Sequence, residues 1–498
     1  MVTKNSKKSK SKKQYRNACK RAKRRKKLQR QSKQRTTHIS PNTPYDVCTE
    51  RMTPFGGLLA LVKFLDLMKY EQVFNDLYVR PSRKAELGCY RMVLGLLMML
   101  FIGFHRISHM DHLRRDPVVT GILKVTQLPV VSTFWRYVQS LKIMQSQALI
   151  RIMGSLRARV WTLIGYQPKQ VRVNIDTTVA TVYGNIQSAY KGHNTQHRGK
   201  KGLRPVLCFT DETREYLCGS QRRGKTITGK EVAYQIKQFR KLLPSCVKKV
   251  WVCGDGEFIS AESVSACVEE GFSFILGNRR CSPPFSDAGW YRHGLYAYNE
   301  CLYQPTGWDQ AYRFVAMRIR KEDKENRQLN LFKDADYLYR IFVTNLKGKP
   351  HTVIAKYDKR ADVENSIGEA QREGILAIPS KKFQSNHAFF QIVMLAYNLW
   401  RWLKLSAGHR YRNRVVEATG EEPDRIEVVS QTIRLARLKM LYVAAKVSHH
   451  SNRDTMYYSI HDTRASGIID FLEYLDARRR EKISWPPPRA VSSYRKTG

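Results

Sequence analysis

The sequence predicts an α/β protein built on a mixed sheet, with a β-rich insertion in its second half and helical regions on either side. Three observations carry this. From residue 171 onward, short apolar runs rich in β-branched residues alternate with segments of helical period. Before that point the apolar residues recur at helical spacing alone. Between 285 and 350 the chain is dense in Tyr, Phe and β-branched residues, as in YRHGLYAYNECLY, YRFVAMRIR and YLYRIFVTNL.

Residues 1–44 read as a basic arm. Residues 1–35 hold 17 Lys or Arg and no acid, too much like charge to bury a core, so they form either a disordered arm on nucleic acid or a solvated tail. Residues 45–165 read as a helical N-terminal domain. Thr53 to Tyr70 and Arg91 to Phe104 have helical period. The longest apolar run, Met92 to Phe104, has 13 residues, short of the ~20 that span a bilayer, and predicts a buried helix. LPVVSTFWRYVQSL, from Leu128 to Leu141, predicts a turn and then a helix capped by Ser132. That helix would expose Thr133, Arg136 and Gln139 as a DNA-reading face, or else be an ordinary amphipathic core helix.

Residues 166–405 read as an α/β core. Strands are predicted at 171–178, 206–211, 216–221, 248–254 and 272–278, with a Thr-capped helix from Thr228 to Leu243 and another near 260–270. This order resembles the ribonuclease H-like fold, in which acids at the ends of the first and fourth strands come together. Here those acids are Asp176, ending VRVNID, and Asp255, ending KKVWVCGD. The β-rich insertion, about 280–350, has KEDKENRQ (321–328) as an exposed turn. It leads to a helical stretch, YDKRADVENSIGEAQRE, that contains Glu364. His387 to Leu405 predicts a buried helix. Residues 406–498 read as a basic helical region with a loose tail, WPPPRAVSSYRKTG.

A chain of 498 residues with 42% hydrophobic residues can bury a large core in several domains. The formal charge of +46, from 88 basic against 42 acidic residues, points to nucleic acid, with an anionic membrane surface as the rival. The basic N-terminus has no apolar segment behind it, so no secretory signal is expected. Ten cysteines without a C-x-x-C pair or a His partner give no zinc pattern. They predict reduced, mostly buried thiols of a cytosolic protein.

In so basic a chain, carboxylates placed at strand ends suggest hard oxygen ligands for Mg²⁺ beside a polyanion. Taken alone, an Asp at a strand end is more often a turn or cap residue. Tyr357, Arg360 and Glu364 fall one turn apart on a helix, so they could face one DNA phosphate, or Arg360 and Glu364 could form an i,i+4 salt bridge. Tyr190, Lys191, His193 and Asn194 form a polar loop after the first acid, and Arg204, Arg222, Arg223 and Lys225 add positive charge near the same sheet. Trp290 and Trp308 lie in the insertion, as core aromatics or as stacking surfaces.

Tyr357, Arg360 and Glu364 fit Y-x₂-R-x₃-E. The chain also holds MTPFGG (52–57), HLRRDPVV (112–119), STFWR (132–136), the Asp176–Thr178 triplet, AYKGHN (189–194), GLRPVLCF (202–209) and GDGEF (254–258). Over about residues 45–460 this resembles the bacterial insertion-sequence transposases with a DDE triad, of the DDE group 1 branch. The resemblance implies that Asp176, Asp255 and Glu364 hold two Mg²⁺ ions, with Mn²⁺ able to substitute. It implies double-stranded DNA as partner, at terminal inverted repeats and target sites, and a homodimer in the synaptic complex. It implies a bacterial, nucleoid-associated cytoplasmic protein. DNA contacts would come from Tyr357, Arg360, Arg372, Lys191, Arg204, Arg223, Lys225, Arg136 and Trp308, the last stacking on a flipped base. Where the family often has a Lys, seven residues after the glutamate, this chain has Gln371, with Arg372 adjacent. Glu257 is an extra acid after the second aspartate, either on the surface or tuning a metal. Two other readings stay open: a ribonuclease H-like nuclease without strand transfer, and a domesticated DNA-binding or basic RNA-binding protein without catalysis.

Overall fold

The computed structural model describes residues 37–82, 85–192, 197–320, 337–421 and 427–486, with Lys23 and Lys27. The rest of the basic arm, His193 and Asn194, the expected turn at 321–328 and the tail from 487 onward lie outside the described residues.

The first half is a helical body. A short strand, β1 (Arg51–Thr53), precedes α1 (Leu58–Leu67), α2 (Tyr70–Leu77), α3 (Cys89–Ile102), α4 (Pro117–Leu123), α5 (Val131–Ser140) and α6 (Ile143–Leu163). Every residue of α3 from Met92 to Ile102 is buried, as its unbroken apolar run requires. The helix stops at Gly103, whose φ of 104° only glycine adopts freely. Asp116 caps α4 by accepting from the Val118 and Val119 amides, with Pro117 in the first turn. Ser132 does not cap α5: the helix begins at Val131 after Val130, so Ser132 lies inside the first turn. Thr133 is buried against Glu86, while Arg136 and Gln139 are exposed. No single described helix is long and apolar enough to cross a membrane.

The second half is built on a mixed sheet. Its strands are β2 (Gln170–Thr177), β6 (Val206–Thr210), β7 (Tyr216–Ser220), β8 (Lys249–Gly254) and β9 (Ser273–Gly277), with β3 (Ala180–Thr181), β4 (Tyr190–Lys191) and β5 (Lys201–Leu203) forming a small separate sheet. Helix α7 (Gly229–Leu242) follows β7, and α8 (Ala261–Glu269) follows β8. Thr228 caps α7 through a reciprocal pair with Glu231. Strand β2 runs parallel to β8 and antiparallel to β6; β8 runs parallel to β9. The insertion strands β10 (Tyr291–His293), β11 (Tyr296–Tyr303), β12 (Tyr312–Arg320) and β13 (Tyr337–Thr344) form antiparallel pairs. Through β13 on β9 they extend the sheet to nine strands.

Alternation along the strands assigns the faces. Val171, Val173 and Ile175 share a core with Val250, Val252, Ile236, Phe239 and Val264, which puts α7 and α8 on one face. Asn174 and Asp176 therefore point to the other. That face carries α9 (Pro350–Asp358), which packs Val353 and Ile354 against Cys253, Ile275 and Phe342. It continues into α10 (Asp362–Ala370) and α11 (Phe383–Thr419).

Residues after 420 hold α12 (Glu427–Ser430), α13 (Ile433–Met440), a hairpin of β14 (Ala445–His450) and β15 (Arg453–Tyr458), and α14 (Ala465–Arg480). The hairpin departs from the all-helical expectation. Its turn residues Ser451 and Asn452 both take positive φ, 49° and 57°, the conformation a two-residue turn between twisted strands demands. Strand β14 pairs with β1. The core of α1 to α6 also takes in α11, α13 and α14, so the two ends of the chain fold as one body. Phe101 of α3 stacks on Trp400 of α11 at 4.0 Å. The described cysteines are free thiols: Cys208, Cys218, Cys253 and Cys267 are buried, Cys48 is exposed and the others are half-buried.

Candidate active site

Strands β2 and β8 are parallel neighbours, with Ile175 opposite Gly254. The next residue on each is an acid, so Asp176 and Asp255 leave the same sheet edge side by side, on strands about 4.8 Å apart. Short backbone contacts hold both carboxylates: the Thr177 amide donates to Asp176 Oδ1 at 2.7 Å, and the Glu257 amide to Asp255 Oδ1 at 3.0 Å. Glu364 lies in the first turn of α10 and is exposed.

The three acids share one electrostatic field. Burial, above all, pushes the Asp176 carboxyl up to about 6; Arg360 pulls it down, and Asp255 and Glu364 push it further up. Among the described residues, no three His, Cys, Asp or Glu side chains stand close enough to hold one metal ion. A resident cation stands there instead. Arg360 Nη2 donates to Asp176 Oδ2 at 3.0 Å and to the Ile175 carbonyl at 3.2 Å, and its Nη1 to the Tyr357 hydroxyl at 3.2 Å. Its Nε is buried without a partner. Burial opposes the Arg360 charge, but Tyr357, Asp176 and Asp255 hold its pKa above the usual value. Tyr357 in turn sits on Phe342, ring centroids 4.5 Å apart.

This corrects the expectation of one continuous helix. Helix α9 ends at Asp358, residues Lys359–Ala361 make a tight 3₁₀ turn, and α10 restarts at Asp362. The break turns Arg360 toward Asp176, so the i,i+4 pairing with Glu364 does not form.

Several other residues take roles that spacing alone did not reveal. Glu257 is no surface acid: its Oε2 accepts from Arg204 at 2.7 Å and from Thr177 at 3.2 Å, and its Oε1 is buried without a partner. Arg204 is thereby held beside the aspartates. Gln371 donates to Thr178 Oγ1 at 2.6 Å, whereas Arg372 is exposed next to it. It is therefore Gln371 that reaches the end of β2. Arg222 is buried and paired with Glu231, its Nε 2.9 Å from Oε1, so its charge is already matched.

Lys191, Arg223 and Lys225 are exposed on the small sheet and the loop against it. Gly224 lets that loop approach: a Cβ there would stand 2.2 Å from the Gly202 carbonyl oxygen and 2.7 Å from that of Tyr190. Lys225 lies over the Tyr190 ring at 5.1 Å, and the Arg204 amide bonds the Arg222 carbonyl at 3.1 Å. These contacts gather Lys191, Arg204, Arg223 and Lys225 into one basic patch joined to the aspartates through Glu257. Arg136 is exposed on α5, outside the sheet. Trp308 is half-buried, edge-on to Tyr312 at 5.4 Å. Trp290 has the Arg318 guanidinium 4.0 Å over its ring. Both tryptophans pack against the sheet core.

The donors suit a hard divalent cation. All three are carboxylates, hard oxygen donors, and the Arg360 guanidinium already stands against Asp176 as counter-ion.

Among solved structures, the chain is similar to the cryo-EM structure of piggyBac transposase synaptic complex with hairpin DNA, at 12% identity and a TM-score of 0.36, covering 78% of this chain and 84% of that one. No curated protein matches it. The family described as Transposase DDE domain group 1 matches residues 45–479. That span takes in the helical body, the sheet with its paired aspartates and the closing C-terminal hairpin and helices, and the chain belongs to the group 1 DDE transposase family.

Proposed function

We propose that this enzyme moves an insertion sequence by cut-and-paste transposition, cutting at terminal inverted repeats and joining the freed 3′ ends to target DNA. The observation that carries the reading is the pairing of Asp176 and Asp255 at one sheet edge, in one field with Glu364. On this reading residues 166–405 are a ribonuclease H-like catalytic domain, 45–165 bind the element ends, and 1–44 and 406–498 add basic contacts.

Asp176, Asp255 and Glu364 would hold Mg²⁺, or Mn²⁺ in its place, which when bound supplies Lewis-acid stabilisation of the attacking and leaving oxygens. Arg360 is placed to trade Asp176 for a phosphate oxygen, with Tyr357 fixing its orientation. Lys191, Arg204, Arg223 and Lys225 would track the phosphate backbone, positioning DNA without reading its sequence. Arg136 would meet bases or phosphates from α5, Arg372 would add charge beside Gln371, and Trp308 would stack on an unpaired base. Two ends held together imply a homodimer, working on chromosomal DNA in a bacterial cytoplasm.

The test is strand transfer from pre-cut terminal DNA in Mg²⁺. Joined products from the wild type and none from Asp176→Asn support the reading. Cleavage without joining favours a nuclease. End binding with neither reaction favours a domesticated binding protein.

A further inference from the structure

Helix α10 is held at both ends: Arg360, in the turn before it, bonds Asp176 and the Ile175 carbonyl, and its far end is buried. Glu364, in its first turn, is exposed, while Ile367, Glu369 and Ala370 are buried. The buried end is tied to the C-terminal region. Glu369 Oε1 accepts from the Ile433 amide at 2.6 Å, inside the first turn of α13. Glu373, in the turn that follows α10, accepts from both terminal nitrogens of Arg437, one at 3.4 Å and the other closer. The pair is nearly sealed from solvent, with side chains 7% and 6% exposed.

Arg437 reaches further. Its Nε donates to the Phe101 carbonyl at 3.0 Å, at the end of α3, and its guanidinium lies 5.7 Å over the Trp400 ring. Two glycines make room for the knot. A Cβ on Gly103 would stand 3.1 Å from the guanidinium, and one on Gly374 would stand 3.1 Å from His105. Gly374 also takes a φ of 102°, open to glycine at little cost. The helical body, the long helix α11 and the C-terminal region thus meet at one ion pair, directly behind the helix that carries the third acid.

We propose that Arg437, acting through Glu373, is a positioning residue that sets Glu364 against Asp176 and Asp255. The inference rests on reading Glu364 as the third ligand. Nine residues separate Glu364 from Glu373, about 13 Å of helix, so a tilt of about 5° at the knot moves Glu364 by roughly 1 Å. A displacement of that size costs on the order of 10²-fold when it disturbs reacting geometry. Removing one partner leaves a buried charge unmatched, which drives such a shift. Replacing both with apolar residues removes the unmatched charge but also the aim.

The experiment uses the full chain and Mn²⁺ binding by calorimetry or electron spin resonance, beside single-turnover cleavage of end DNA. Arg437→Met should weaken Mn²⁺ binding about 10-fold or more by letting Glu364 drift from the aspartates, with end-DNA affinity unchanged. Arg437→Lys should fall between it and the wild type. Glu373→Met/Arg437→Met, free of any unmatched charge, keeps the test open if the single variant folds poorly, and should weaken Mn²⁺ in the same way. In a Glu364→Gln background, Arg437→Met should change Mn²⁺ affinity no further. Unchanged Mn²⁺ affinity in the wild-type background, or an equal loss in the Glu364→Gln background, overturns the proposal. If Glu364→Gln alone leaves Mn²⁺ affinity intact, the glutamate assignment falls and the positioning role with it.

Discussion

Asp176 and Asp255 leave adjacent strands whose register is set by Ile175 opposite Gly254, whereas Glu364 leaves a helix held by side chains, through Arg360 before it and through Glu369 and Glu373 after it. The aspartates are 22% and 29% exposed and bonded by neighbouring amides; the glutamate is exposed. A ladder of backbone hydrogen bonds cannot be re-aimed without breaking the sheet, but a helix held by side-chain contacts can. Two of the three acids are thus fixed by the fold, and the third is adjustable.

The comparison breaks if all three acids respond alike to a change of one methylene. Asp176→Asn, Asp255→Asn and Glu364→Gln should each remove cleavage, by more than about 10³-fold or ~4 kcal/mol of barrier. Asp176→Glu and Asp255→Glu should be nearly as severe, because the strands cannot retreat. Glu364→Asp should retain more, a loss of roughly 10-fold, because its helix can shift. Single-turnover cleavage of labelled end DNA measures all of these. Equal losses for Asp176→Glu and Glu364→Asp would mean that the helix is as rigid as the sheet.

Arg360 links the two regions, and its removal should act in opposite directions on binding and chemistry. Arg360→Ala should slow cleavage by about 10²-fold through loss of a group that meets developing charge. Mn²⁺ should bind more tightly in the absence of DNA, because the cation resident on Asp176 is gone. Calorimetry with Mn²⁺ alone decides this; unchanged affinity would mean that Arg360 does not compete for the site.

Stability against pH sharpens the strand side. Asp176 has its folded pKa raised from 3.8 to about 6. Its ionised form therefore costs stability in full above pH 6, and that cost fades as pH falls through 6 and is gone below 3.8, where the carboxyl is protonated folded or unfolded. Asp176→Asn should melt higher than wild type at pH 8, by on the order of 1–2 kcal/mol, and below about pH 3.5 the difference should close. A variant less stable at pH 8 would mean that the Arg360 pair outweighs burial. The smallest effect belongs to Gln371→Ala, which removes the bond to Thr178 and should cost about 0.5–1.5 kcal/mol, or less than about 10-fold in rate.

The strand side of this comparison was readable in the sequence, because β2 and β8 announce themselves as short apolar runs ending in acids. The α/β class, the buried helix at Met92 to Ile102 and the Thr228 cap were readable for the same reason: each is local pattern. What pattern does not carry is who pairs with whom. Helical period in α3 and α11 says that both bury a face; it does not say that Phe101 stacks on Trp400. The hairpin after 444 was read as helix because its turn, Ser451-Asn452, lacks the glycine that usually marks such turns. Arg360 was read on one helix with Glu364 because the sequence gives no sign of the break at 359–361. Glu257 looked like a surface acid because Arg204, its partner, is 53 residues away.

Strand β1 pairs with β14, and the helices of residues 58–163 complete their core only with residues up to 475. During synthesis the early helices therefore wait for more than 300 residues, about 15–60 s at 5–20 residues per second, before their partners leave the ribosome. Until then the apolar faces of α3 and α6 stay open to chaperones, proteases and one another. The helical body cannot close as a finished unit ahead of the sheet, so the two parts of each newly made molecule reach their final fold at nearly the same moment.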